Sequence, residues 1–400
     1  MSTSGILIVS LYVDDIIYTG SSKEMMAEFK NEMMRQYEMI DLGLLHHFLG
    51  LGVLQTDTCI FLHQKKYAKT LLDKFGLKDC KFVATPLAVN EKLSKMDGSD
   101  LADETLYRKM VGSLLYLTAT RPDIMFAASL LARFMHNPTK KHMGTTKRVL
   151  RYIQGTMNYG IAYEKGKGVV LIGYCDSDWS GTEDHMRSTS GYVFNLGSGV
   201  FSWASIKQSS VALSTAEAEY ISAAEATAQA IWLRFVLSDF GEEQVEPTQL
   251  LCDNTSAIAI SKNPVHHHKT RHINRSVALS TAEAEYISAA EATAQAIWLR
   301  FVLSDFGEEQ VEPTQLLCDN TSAIAISKNS VHHHKTRHIN RRFHLIRDAL
   351  QDGEIDLLYC KTEEQLANIF IKPLARDRFE YLRSKLGVIS AKHLEGSVEV

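Results

Sequence analysis

Apolar positions recur along the chain with two periods, two residues where strands are expected and three to four where helices are. Residues 5–19 (GILIVSLYVDDIIYT) form two β-branched and aromatic runs split by Asp14 and Asp15, which predicts a hairpin with the acids at its turn. From 23 to 165 the spacing is mostly helical, as in KEMMAEFKNEMMRQY and KYAKTLLDKFG, with Met25, Met26, Met33 and Met34 expected to fill a core. The polar stretch from Leu93 to Glu104 reads as a linker, and Arg121-Pro122 as a helix end or turn. VVLIGYCDSDWSG then predicts a strand, and STSGYVFNLGSGVFSWASIKQ two more joined by Gly-Ser-Gly, together an antiparallel meander. A helix is expected from Ser214 to about Phe240, stopped by Gly241. TQLLCDN is a strand and TSAIAISKN a short helix; RRFHLIRDALQDG, EIDLLYCKT and EEQLANIFIKPL predict helix, strand and final helix.

One stretch occurs twice. Residues 210–275 recur at 276–341 with a single change, Pro264 to Ser330, so each copy is 66 residues long. Solenoid repeats diverge and need about three or more units to bury a continuous core, so two near-identical copies mark a tandem duplication or a mis-assembled gene. One sheet has room for one copy, and the first is joined to the meander by the shorter link. The surplus helix, with Ile297, Trp298, Phe301 and Val302, gives a reason to expect self-association.

Composition is that of an ordinary globular chain: 400 residues, 45% hydrophobic, 22% charged, net charge −4. The whole chain therefore carries no electrostatic signature of nucleic-acid binding, although local basic stretches can supply one. Six cysteines without a CxxC pair suggest reduced thiols inside a cell. No apolar run nears the roughly 18 residues of a membrane span, and no signal peptide is expected at the N-terminus.

Several acids sit where strands end. Asp14 and Asp15 make either a polar turn or part of a site for a hard cation. Asp176 and Asp178 close the first strand of the meander, and Asp253 closes TQLLCDN, where α/β folds commonly bind ligands. Glu217 has two readings: the N3 member of a Ser214-Thr215-Ala216-Glu217 capping box, or a carboxylate facing the metal of Asp176. In the second copy Glu283 and Asp319 are equivalent. Lys140, Lys141, Lys147, Arg148 and Arg151 make a basic helical face that is either solvated or tracks phosphates. The histidine tracts 266–268 and 332–334 are poor zinc candidates, because adjacent histidines cannot all point at one ion.

LYVDDIIYTGSS, DLGLLHHFLGLGV, KFVATPL, YRKMVGSLLYLTATRPDI and KRVLRYIQGTMNYGIAY, in that order, resemble the reverse transcriptase of copia-type LTR retrotransposon Pol polyproteins. DSDW, TAEAEY and CDN resemble the ribonuclease H domain that follows it, and EEQLANIFIKPL resembles the family's QLADIFTKPL. The resemblance implies an α/β ribonuclease H-like mixed sheet with flanking helices, preceded by an α+β remnant of palm and thumb. Expected domains are 1–92 (palm hairpin and thumb-like region), 93–165 (helical connection), 166–390 (ribonuclease H-like) and a tail from 391.

By motif, the resemblance makes Asp176, Glu217 and Asp253 the carboxylates that hold Mg²⁺, or Mn²⁺, for hydrolysis of the RNA strand of an RNA/DNA hybrid. Asp178 would be supporting. Asn368 stands where the family has a fourth aspartate, and with the duplication it predicts impaired turnover or a remnant that only binds nucleic acid. Asp14 and Asp15 are a polymerase remnant, since only 13 residues precede Asp14 and polymerisation is not expected. The family also implies cytoplasmic particles or the nucleus as location.

Overall fold

The computed structural model describes residues 5–181, 184, 186–262 and 349–395. The chain divides into two units, 1–258 with 349–400, and 259–348. Of the second unit only 259–262 are described, so Glu283, Asp319, both histidine tracts, the surplus copy and nearly all of RRFHLIRDAL lie outside the described residues.

The hairpin forms as its pattern predicts. Strands β1 (Leu7–Tyr12) and β2 (Asp15–Gly20) pair antiparallel, with Tyr12 opposite Asp15 and Val13 in the left-handed region at φ 52°. Helix α1 (Lys23–Gln36) follows, capped by the Ser22 hydroxyl on the Met25 amide. It buries none of its residues, so the four methionines do not fill a core.

The region expected to be mostly helical contains four strands. These are β3 (His47–Phe48), β4 (Leu51–Gln55), β5 (Cys59–His63) and β6 (Tyr159–Glu164), in a sheet of order β12-β6-β5-β4-β3 that a C-terminal strand, β12 (Val388–Ser390), completes. Thr56, whose amide donates to the Cys59 carbonyl at 2.9 Å, closes the β4–β5 turn, and the inward residues Cys59 and Phe61 then alternate. Helices α2 (Lys65–Lys74), α3 (Glu104–Leu117), α4 (Met125–Ala132) and α5 (Lys140–Gly155) supply Leu71, Leu114, Leu131 and Val149 to one apolar core that also takes Val193 and Phe370. That core, and the pairing of β12 with β6, span the expected boundaries at 92/93 and 165/166.

The stretch from Leu93 to Glu104 is irregular but docked. Leu93 is buried, and Asp97 accepts from the Thr139 hydroxyl at 2.6 Å and the Ser99 amide at 2.8 Å. Burial would raise the Asp97 carboxyl, but these hydrogen bonds outweigh it and lower it to about 2.

The second large sheet runs β11-β10-β7-β8-β9. Strands β7 (Leu171–Asp178), β8 (Thr189–Leu196) and β9 (Val200–Lys207) form the expected antiparallel meander. Strand β10 (Thr248–Cys252) lies parallel to β7, and β11 (Ile355–Tyr359) parallel to β10. Helix α6 (Thr215–Asp239) lies against β7, β8 and β10, and short α7 (Thr255–Lys262) follows β10. Gly241, at φ 80°, takes the left-handed position that ends α6.

The expected final helix over EEQLANIFIKPL is only a 3₁₀ helix, Leu366–Phe370, because Pro373 cannot continue an intrahelical ladder. Helix α8 (Arg376–Lys385), which the pattern did not reveal, precedes β12.

Candidate active site

The central strands β7 and β10 run in the same direction, so their carboxyl ends open at one edge of the sheet and carry Asp176 and Asp253 there. A third carboxylate reaches them from α6, and it belongs to Glu219. One oxygen each of Asp176, Glu219 and Asp253 lies within 4.8 Å of the others. Asp176 and Glu219 are each 3% exposed, while Asp253 is half-buried.

Glu217 stands elsewhere. Its Oε2 accepts from the Leu213 amide at 2.8 Å, while its own amide donates to Ser214 Oγ at 3.2 Å. The Ser214 hydroxyl thus caps α6, while the Glu217 carboxylate reaches one residue past the cap, to the Leu213 amide, and not to the Ser214 amide that a full capping box uses. Residues two apart on a helix point in different directions, so Glu217 and Glu219 cannot serve one point.

The stripe beginning at Glu219 runs through Ser222, Ala223, Ala226, Ala230, Leu233 and Leu237, all buried. The stripe beginning at Glu217 is also buried through Tyr220, Ile221 and Ala224 before it emerges at exposed Phe235. Both stripes begin apolar, so the fold, and not the local pattern, selects Glu219.

The surrounding groups fix these carboxylates. The Ser177 amide donates both to Asp176 Oδ1, at 2.8 Å, and to Glu219 Oε1, at 3.1 Å. Ser222 Oγ ties α6 to the Asp176 carbonyl at 2.7 Å. Thr362 Oγ1 donates to Asp253 Oδ2 at 2.9 Å. Asn368 Nδ2 donates to Asp176 Oδ2 at 3.0 Å, from a 3₁₀ turn laid against Gly191. Gly191 pairs with Asp176 across β7 and β8, and a Cβ there would stand 2.8 Å from Phe370 Cβ, so only glycine admits Asn368 this closely.

Crowding sets the electrostatics. Burial, then the charge of Asp253, pushes the Asp176 carboxyl up to about 7, with Lys372 opposing. Burial, then Asp176, Cys252 and Asp253, raises Glu219 well above the usual carboxylate range. Burial also raises Asp178, against Lys372, Lys92 and Arg133. Three carboxylates this close in a dry setting must keep a proton or take up a cation.

The other sequence candidates lie apart. Asp14 and Asp15 are exposed on the hairpin and do not join the cluster. On α5, Lys140 Nζ pairs with Asp100 Oδ2 at 2.7 Å and Lys141 Nζ donates to the Lys92 carbonyl at 3.1 Å. Arg148 donates to Thr85 Oγ1 at 3.1 Å and Arg151 to the Lys81 carbonyl at 2.7 Å. Four of the five basic residues thus hold down the chain between Lys81 and Asp100, and Lys147 is exposed.

A buried polar group was missed. Arg121, 3% exposed, makes two bonds of 2.8 Å to Asp123, which also accepts from the Tyr152 hydroxyl; Arg383 of α8 donates to that hydroxyl at 3.0 Å.

Comparison with known proteins agrees with the sequence motifs. The family model described as reverse transcriptase (RNA-dependent DNA polymerase) matches residues 1–89. The Pol polyproteins of transposon RE1 of Arabidopsis thaliana and transposon TNT 1-94 of Nicotiana tabacum are 33% and 31% identical over 96% and 97% of this chain. The chain spans only 22% and 25% of their lengths. The uncharacterized mitochondrial protein AtMg00810 of Arabidopsis thaliana is 38% identical over 56% of this chain and 92% of its own length. The chain belongs to the copia-type retrotransposon Pol family, with a reverse transcriptase-like N-terminal part. Among the described residues no helix is long and apolar enough to cross a membrane.

Proposed function

We propose that the chain carries a ribonuclease H-type site that hydrolyses the RNA strand of an RNA/DNA hybrid with a divalent cation, Mg²⁺ or Mn²⁺. The observation that carries this reading is the convergence of Asp176, Glu219 and Asp253 within 4.8 Å at the ends of β7 and β10. The sheet order supports it, since a three-stranded antiparallel meander followed by two parallel strands is the arrangement that a ribonuclease H-like fold implies.

The donor set fits a hard divalent cation: three carboxylates, all oxygen, two of them kept from ionising freely by burial and by one another. Such an ion, when bound, supplies an activated water and neutralises charge on the scissile phosphate. The chain's own part is positional. Ser177 aims Asp176 and Glu219 through a single amide, Thr362 holds Asp253, and Ser222 fixes the distance between helix and strand. Because burial raises both Asp176 and Glu219, loading would require these acids to give up their protons.

A second reading, a remnant that binds nucleic acid without turnover, is favoured by one contact. The Asn368 amide occupies an oxygen of Asp176 and brings no negative charge of its own. Cleavage of a labelled hybrid in Mg²⁺ and in Mn²⁺ separates the two. The nuclease reading expects cleavage that Asp176→Asn lowers about 100-fold or more. Absence of cleavage in both metals, with hybrid binding intact, would leave the remnant.

A further inference from the structure

Next to the acidic centre the sheet gathers positive charge. Asp178 at the end of β7, Thr189 at the start of β8 and Lys207 at the end of β9 are consecutive partners across the sheet. Neighbouring strands lie about 4.8 Å apart, so this row spans about 10 Å. Arg133, which ends α4, reaches over the row and donates from Nη2 to Thr189 Oγ1 at 3.1 Å. Lys92 and Lys372 stand with Arg133 around Asp178. Lys95 and Arg187 stand with Arg133 around Lys207.

Six cations from five separate segments thus gather here; among the described residues Asp178 and Asp184 act on this group, and Lys92 and Arg187 make further contacts of their own. Asp184 is already engaged by Ser94 Oγ at 2.7 Å and the Lys95 amide at 3.0 Å. Among the described residues no carboxylate lies within 4.0 Å of the Arg133 guanidinium or the Lys207 amine. Burial brings Arg133 down to about 10, with Asp178 opposing. Burial, then Arg133, Arg187 and Lys95, lowers Lys207. Like charges held together and partly desolvated oppose folding unless an anion joins them.

The anion is extended along this row and lies beside the acidic centre, because Asp178, which heads the row, stands two residues beyond Asp176 at the same end of β7. A nucleic-acid strand presents one phosphate for about each 3.4 Å of helix rise, so the row corresponds to about three phosphate steps. We propose that this cationic shelf, and not the α5 face, takes the phosphate backbone of the nucleic acid at the acidic centre. The choice of an RNA/DNA hybrid as probe rests on the nuclease reading, but binding to the shelf requires no turnover.

The test is anisotropy of a fluorescent RNA/DNA hybrid with the full chain in EDTA, titrated at several KCl concentrations. The double variant Lys95→Gln, Lys207→Gln is compared with Lys95→Arg, Lys207→Arg and with the α5 pair Lys140→Gln, Lys147→Gln. Losing two phosphate contacts should weaken binding about tenfold or more and flatten the slope of log K against log salt by about 1.8. The arginine pair should keep affinity and slope, which excludes misfolding at these positions, and the α5 pair should stay within about twofold.

Unchanged affinity and slope in the glutamine pair would overturn the shelf, as would an equal loss in the α5 pair. Shelf-dependent binding without cleavage in Mg²⁺ or Mn²⁺ would overturn the nuclease reading and leave the shelf standing. Cleavage by the parent together with undiminished hybrid affinity in the glutamine pair would do the reverse.

Discussion

Asn368 Nδ2 donates to Asp176 Oδ2 at 3.0 Å, so a neutral amide occupies an oxygen of the acid on which the cluster turns. The donor steadies the ionised form of Asp176 when no cation is present. It also competes with any cation for the same oxygen.

Replacing the amide reverses both effects. Asn368→Asp adds a fourth acid to a buried group, so in EDTA the variant should melt below the parent. Mg²⁺ should raise its Tm by more than it raises the parent's, and hybrid cleavage should rise by about tenfold, equivalent to about 1.4 kcal/mol. Asn368→Ala should lose about 1.5–3 kcal/mol, the worth of a hydrogen bond to a charged group, without the enhanced response to Mg²⁺. Thermal melts in EDTA and in Mg²⁺ check both variants, and an Mg²⁺ shift for Asn368→Asp no larger than the parent's would count against competition at Asp176.

The proton at the cluster makes a pH prediction. The Asp176 carboxyl, ordinarily near 3.8, is raised to about 7 in the folded chain, so the folded state holds its proton more tightly than the unfolded chain does. The sign follows: without a divalent cation, this group lowers stability progressively as pH rises from about 4 to 7, and the loss is complete above that. Cation binding expels protons from both raised acids, so apparent Mg²⁺ affinity should rise with pH by about tenfold per unit for each acid still protonated, more steeply below 7 than above it. Mg²⁺ titrations followed by calorimetry at pH 6, 7 and 8 measure this, and equal affinity at all three would contradict protonated acids in the cluster.

The two glutamates of α6 separate chemistry from folding. Glu219→Gln should lower cleavage by about 100-fold or more while leaving the cap of α6 whole. Glu217→Gln should retain cleavage and cost about 0.5–2 kcal/mol of stability, because it alters the bond to the Leu213 amide. Urea melts and hybrid cleavage on the same two variants give the answer, and loss of cleavage in stable Glu217→Gln would return the catalytic role to that residue.

Much of this arrangement was legible where local pattern and tertiary need agree. The meander, the Ser214 cap, the Gly241 stop and the acids closing β7 and β10 follow from alternation, cap chemistry and strand ends. The sequence was opaque where a residue's partner is distant. Strands β3 to β5 are short and interrupted by Gly50, Gly52 and Thr56 to Thr58, and their pairing depends on β6, about a hundred residues on. Glu217 and Glu219 satisfy the same local pattern, and only the fold, which brings Glu219 to Asp176, separates them. Asn368 was found through family resemblance, since nothing local distinguishes an asparagine in a 3₁₀ turn.

The Arg121-Asp123 pair looked like a turn beside a proline, yet it anchors the helical half of the core. Burial alone would raise the Asp123 carboxyl, and the Arg121 charge beside it outweighs that and holds it below the ordinary range. Removing one charge leaves the other buried and uncompensated, so Asp123→Asn should cost about 3–5 kcal/mol. Because Arg383 of α8 joins through Tyr152, Arg383→Ala should loosen the docking of α8 as well. Urea melts would show the first effect, and hydrogen exchange across 376–390 the second. A cost for Asp123→Asn below 1 kcal/mol, well short of that range, would mean that water or a neighbouring group takes over the charge.

The repeat yields the last prediction. Glu219 and Asp253 of the first copy are built into the site, bound by Ser177 from the meander and by Thr362 from beyond the second copy. The place beside Asp176 is thus filled by the first copy; the equivalent acids of the second, by sequence, are Glu285 and Asp319. The double variant Glu285→Gln, Asp319→Asn should cleave the hybrid within about twofold of the parent, a difference below about 0.5 kcal/mol. Glu219→Gln, Asp253→Asn should be inactive. If Glu285→Gln, Asp319→Asn abolished cleavage and Glu219→Gln, Asp253→Asn did not, the second copy would be the one packed against β7. Loss of about half the activity in each would mean that the two copies exchange in that place.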